Sequence, residues 1–206
     1  MSLTKIPVQA GLVSEISTDP DPQKRSITGE QGFWVVIFGD LLAFTLFFTL
    51  YLSQRSHDLK IFATGESALD AGVGTLMTLV LLTSSLTVVR GTHALRENRA
   101  SARYFIAALA CGSAFVGLKA VEWASHVRAG ETLTANGFWT WYFFLTGIHL
   151  VHVILGIVLL SYLLWLSHRM PLNSPRLRYA ECSSLFWHMV DLLWVVIFPL
   201  LYFTRY

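Results

Sequence analysis

The sequence predicts an all-α polytopic membrane protein, a bundle of five transmembrane helices, and two observations carry this. Hydrophobic residues make up 54% of the 206-residue chain and charged residues only 14%. With a mean hydropathy of +0.54, that leaves too little polar surface for a soluble domain of this length. Cutting the chain at its charges then leaves five apolar runs, at 33–52, 73–89, 104–123, 138–166 and 182–203. A bilayer core of about 30 Å takes roughly 20 helical residues, with about 17 as the lower limit. Every run is long enough, and the fourth has length to tilt or to extend past the core.

The basic residues orient the bundle. Lys5, Lys24 and Arg25 precede the first span, Arg90, Arg96, Arg99 and Arg103 join the second to the third, and Arg169, Arg176 and Arg178 join the fourth to the fifth. The opposite side has Arg55, Lys60, Arg128 and Arg205, while Lys119 lies within the third span. The positive-inside rule places the N-terminus in the cytoplasm and the C-terminus outside. In a bacterial host the membrane is the cytoplasmic (inner) one and the C-terminus periplasmic. Residues 1–31 are polar, carry Pro7, Pro20 and Pro22, and lack the apolar region of a signal peptide. They read as a flexible cytoplasmic tail, which leaves 32–206 as the membrane domain. Cys111 and Cys182 have neither finger nor CxxC spacing, so neither a disulfide nor a metal pair is expected.

In the first span Phe33 and Trp34 suit the inner interface and Tyr51 the outer one. Asp40 stands about seven residues in, roughly 10 Å below the boundary at about 1.5 Å per residue. It reads either as an interhelical hydrogen-bonding group or as a proton-relay or head-group contact. The outer loop 53–72 shows mixed charge and no recognisable site. The second span is rich in hydroxyls (Thr75, Thr78, Thr83, Ser84, Ser85, Thr87), and the third carries four-residue rows of small side chains, Ala107/Cys111, Ala110/Ala114 and Ser113/Gly117. Both patterns favour close helix packing. Lys119 and Glu122, three apart at the end of the third span, read as an interfacial ion pair. The fourth span opens on an aromatic belt (Phe138, Trp139, Trp141, Tyr142, Phe143). In the fifth, Pro199 sits near the outer end, where a lost helix hydrogen bond does least harm.

Two histidines, His149 and His152, share one face of the fourth span, and the fifth adds His188 and Asp191, with Glu181 before them. Counting depth along antiparallel spans puts Asp40, His149, His152, His188 and Asp191 in one layer of the cytoplasmic half. The expectation is a single interhelical polar cluster. Its residues are chemically adequate metal ligands, yet paired helices carrying a Glu-x-x-His repeat are absent.

The stretch Thr146–Gly156 (TGIHLVHVILG), followed by Glu181–Trp194 (ECSSLFWHMVDLLW), resembles the signature of subunit III of the haem-copper oxidases. Leu118–Trp123 (LKAVEW) and Leu81–Ser85 (LLTSS) are similar to two further segments of that family, and the resemblance runs from about Gly32 to the end. It implies a non-catalytic subunit. Haem and copper would sit in the partner subunit I, and this chain, with no redox cofactor of its own, would pack beside it with the other subunits. It would bind phospholipid and support proton uptake and durability. Nucleic acid is not an expected partner. Asp40 takes the place of the family's membrane glutamate, and Glu122, His149, His152, Glu181, His188 and Asp191 match its polar positions. With five spans the chain resembles the short bacterial members, including those of quinol oxidases, and lacks the opening helices of the mitochondrial type. Phe38-Gly39-Asp40 is similar to the branch associated with nitric oxide reductase, the alternative complex. A free-standing metal- or haem-binding enzyme and a transporter are the remaining readings; the latter lacks an inverted repeat or broken-helix pair.

Overall fold

Five long helices and one short one account for almost all of the described residues. The structure, a computed structural model, describes residues 31–169 and 174–203. The expected N-terminal tail, with Lys5, Lys24 and Arg25, and Arg205 at the other end, lie outside the described residues. In chain order the elements are α1 (Gln31–His57), α2 (Leu59–Ala68), α3 (Ala71–Arg96), α4 (Ala102–Arg128), α5 (Gly137–Ser167) and α6 (Ser174–Tyr202). All except α2 are long and apolar enough to cross a membrane, so the chain is a multi-pass membrane protein of five spans. At 26 residues, α3 is ~39 Å long at about 1.5 Å per residue and outreaches the hydrocarbon core. The helices therefore carry their charged ends out to the head-group level, beyond the runs bounded by charge.

The ends are set by local chemistry. The Asp70 carboxylate caps α3, accepting from the Gly72 N–H at 2.7 Å and the Val73 N–H at 3.3 Å. The Asn136 side chain caps α5 by accepting from the Trp139 N–H. Both α3 and α4 close in a Schellman motif, with Asn98 (φ 53°) and Gly130 (φ 86°) in the left-handed position. The reach-back bonds Arg99 N–H to Ala94 C=O and Glu131 N–H to His126 C=O complete them.

Burial ranks the helices. The most apolar stretch of α6 is 61% buried and that of α1 only 17%, so α6 is central and α1 peripheral. Trp187 of α6 fixes the packing, since its ring fills the space left by Gly156 of α5 and Gly112 of α4. One helical stretch further along, Trp194 lies against Phe115 and His149. These two contacts put α5 and α6 antiparallel with Asp191 level with His152.

Two expectations are corrected here. The outer segment read as a loop contains α2, which docks on the bundle by burying Phe62, Gly65 and Glu66. The small-residue rows of the third span do not make the close contact either: Ala110, Ser113, Ala114 and Gly117 face outward. Close packing is made by Gly112 and by Ser84, whose hydroxyl donates to the Ala108 carbonyl across the α3–α4 seam.

Candidate functional site

The polar side chains expected to form one layer are distributed over the seams between helices. On the α1–α5 seam, Asp40 Oδ2 lies 3.6 Å from His152 Nε2, with 30% and 16% of the two side chains exposed. The His152 ring is steered there by its Nδ1, 2.9 Å from the Ile148 carbonyl, and by an edge contact with Phe44. On the α3–α6 seam, His188 is held through both ring nitrogens: Nδ1 is 2.6 Å from the Ser85 hydroxyl and Nε2 is 3.2 Å from that of Ser184. Ser85 also adjoins the Asp191 carboxyl. A second tie on this seam runs from the Trp194 indole N–H to the Thr78 hydroxyl.

His149 has no such tie. It is fully buried, its ring stacked on Trp194 at 5.3 Å between centroids and set edge-on to Phe115. Neither ring nitrogen has a hydrogen-bond partner among the described residues, and Asp191 Oδ1 is likewise unpartnered. The structure thus pairs Asp40 with His152, and places His188 beside the Ser85–Asp191 contact on the other side of α6. His149 lies between them in an aromatic setting. Glu181 stands apart at the basic end, 2.7 Å from the half-exposed Arg96, where an ion pair contributes at most about 1 kcal/mol.

The most completely bonded polar group is nearer the other end. Lys119, 1% exposed along its side chain, lies 3.2 Å from Glu122 Oε2, itself 9% exposed. Its ammonium also reaches the hydroxyls of Tyr142 and Tyr202 at 3.2 and 3.1 Å. Both phenols donate to Glu122 Oε1, at 2.8 and 2.5 Å. The expected interfacial pair is therefore a buried four-residue network joining α4, α5 and α6. Tyr142, expected as one ring of an aromatic belt, is instead a hydrogen-bonding member of this network, together with Tyr202. The available signal was that a lysine inside a span needs acceptors at its own depth. A third group ties α2 to α1. Glu66 is fully buried and binds Arg55 at 2.8 Å and the Tyr51 hydroxyl at 3.3 Å.

Chemically, these are hydrogen-bonded and ionic ties between helices. Among the described residues no group of three or more His, Cys, Asp or Glu could hold a metal ion. His188→Leu should remove the Ser85 tie across the α3–α6 seam and strand the buried Ser184 hydroxyl, lowering stability by about 1–3 kcal/mol for a buried group left unsatisfied. A thermal midpoint in detergent equal to that of the parent protein would show that this tie contributes nothing.

Comparison with known proteins fits this geometry. A family model described as cytochrome c oxidase subunit III matches residues 26–206. The protein named "Probable quinol oxidase subunit 3" of Staphylococcus saprophyticus is 33% identical over 174 residues, 83% of this chain and 86% of that one. Its namesake in Staphylococcus aureus is 34% identical over 177 residues, with the same shares covered.

Proposed function

The chain belongs to the cytochrome c oxidase subunit III family, a non-catalytic part of haem-copper oxidases, and from that premise we propose that it is the third subunit of a quinol-oxidising complex. The other subunits of the complex are its partners. The catalytic subunit I, which would hold the haem and copper, is the one it docks on directly. Its relatives are named as quinol oxidase subunits, which supports quinol as donor and favours oxygen over nitric oxide as the oxidant. The membrane is a bacterial cytoplasmic membrane, with the basic end of the bundle inside and the C-terminus outside.

The observation that carries this role is the spread of polar ties over the helix seams. The Asp40–His152, Ser85–His188, Arg96–Glu181 and Lys119–Glu122–Tyr142–Tyr202 groups each join two or three helices, and among the described residues none gathers three or more metal-ligating side chains. In this reading Asp40, His149, His152, His188 and Asp191, with Lys119, Glu122 and Glu181, hold the bundle in the shape its neighbour recognises. The Asp40–His152 pair, with the Asp40 side chain 30% exposed, also meets phospholipid or supports proton uptake by the catalytic subunit.

The test is co-purification of the tagged full-length chain from membranes. It should bring down a haem-containing subunit whose reduced spectrum reoxidises with oxygen and is restored by quinol. His149→Leu should reduce the amount of this chain in the complex and leave turnover per assembled complex unchanged. Normal subunit content with lost turnover would overturn the supporting role.

A further inference from the structure

We propose that the basic end of the α3–α4 seam is a binding site for the head group of one anionic phospholipid, whose acyl chain lies along an apolar stripe of α3. The proposal rests on the five-span membrane reading and adds a lipid contact of stated charge class, separate from the Asp40–His152 pair on the α1–α5 seam. It does not depend on the electron donor of the complex.

The site is a cavity of about 400 Å³ lined by Arg90, His93, Arg99, Arg103, Tyr104 and the carboxylate Glu97. A second cavity, about 430 Å³, shares Arg90 and His93 and adds Val89 and Leu185 as an apolar wall. The single carboxylate of the first is already neutralised. Glu97 is 3.2 Å from His93 and 3.1 Å from Arg99. Arg90 and Arg103, by contrast, have no carboxylate partner among the described residues. Arg103 is held over the Tyr104 ring, 4.8 Å from its centroid, and donates to the Tyr104 hydroxyl at 2.9 Å. Two guanidiniums without a carboxylate partner, that of Arg103 held in place by Tyr104, suit a phosphate, which accepts paired N–H donors. The frame around them is fixed because Gly91 packs against Phe105 and Tyr104 with no room for a larger side chain to enter freely.

What makes the occupant a lipid is the surface below. Leu82, Leu86 and Val89 are exposed and recur at i, i+4 and i+7, so they share one face of α3. The next position on that face is His93, in the cavity wall. Exposed Ile106 likewise stands one turn below Arg103 on α4. An apolar strip at hydrocarbon depth thus ends in uncompensated cations at the rim, which is the charge and polarity profile of an anionic lipid.

The test uses the full-length chain in bilayer discs of phosphatidylcholine containing phosphatidylglycerol. Lipid retained after transfer to mild detergent is then quantified by mass spectrometry. The protein should retain phosphatidylglycerol above its share in the disc. Arg90→Gln/Arg103→Gln should lower that retention about 30-fold, taking about 1 kcal/mol for each basic residue at the surface. Arg128→Gln, which removes a charge at the opposite end, should leave it unchanged. No enrichment in the parent protein, equal enrichment in the double variant, or an equal loss in Arg128→Gln would each overturn the site. Displacement of the lipid by millimolar inorganic phosphate would overturn the lipid as its ligand. Failure here leaves co-purification with the catalytic subunit untouched, so the two proposals fail separately.

Discussion

Gly156→Val is expected to leave little or no folded protein. A Cβ at this position of α5 would lie 2.5 Å from Trp187 Cε3 and 2.8 Å from Cζ3, distances that real atoms do not adopt. The indole cannot step aside: Trp187 is 1% exposed, and its far edge already meets the position of Gly112, where a Cβ would sit 2.9 Å from Cη2. The helices would have to part, and α5 and α6 are the pair whose register sets the levels of His149, His152 and His188. Overpacking a well-filled core costs about 1–3 kcal/mol, occasionally more. A branched residue at a helix–helix contact inside a bilayer belongs at the upper end, because small residues are what permit the approach. Membrane yield and thermal unfolding in detergent would measure it. Trp187→Leu should restore part of the loss in Gly156→Val by vacating the clash. A Gly156→Val protein as stable as the parent would mean that α5 and α6 are not packed through this glycine.

That the spans were legible and their faces were not has a physical reason. Apolar length reports the bilayer, so five runs of hydrocarbon-crossing size yield five helices. In a membrane, however, the side of a helix facing lipid is as apolar as the side facing protein, so periodicity does not say which is which. The rows Ala110/Ala114 and Ser113/Gly117 therefore looked like contacts and point outward, while the decisive Gly112 belongs to neither. The same limit applies to the polar layer. Counting residues gives depth, and the contacts of Trp187 and Trp194 put His152 and Asp191 at one level as counted. Depth says nothing about azimuth, and around that level Asp40 meets His152 on one side of the bundle while His188 meets Ser85 on another. The short helix α2 escaped because Lys60 and Glu66 broke its apolar pattern. Glu66 is buried only because Arg55 and Tyr51 reach it from a different helix.

The second large effect is expected at Lys119 and Glu122. Removing one member of a buried ion pair leaves the other without its counter-charge, which costs about 3–5 kcal/mol, whereas replacing both with apolar residues of similar volume is often neutral or stabilising. Lys119→Met should therefore destabilise the bundle strongly even though Tyr142 and Tyr202 still donate to Glu122, because two phenol bonds do not replace an ammonium 3.2 Å away. Glu122→Leu should cost as much or more. It strands the lysine against two hydroxyls and against the Tyr142 and Trp194 ring faces, 4.7 and 5.2 Å from the ammonium. Lys119→Met/Glu122→Leu should be less destabilised than either single variant, a coupling at or above the upper end of the roughly 0.5–3 kcal/mol seen for residues in contact. Tyr202→Phe, which removes the hydroxyl that accepts from Lys119 and donates to Glu122, should cost at least the roughly 1.5–3 kcal/mol of one hydrogen bond to a charged group. Thermal unfolding of the four proteins in one detergent supplies the cycle. Strictly additive losses would mean that the lysine and the glutamate are stabilised separately, and that this end of the bundle is held by its aromatic packing and not by this network.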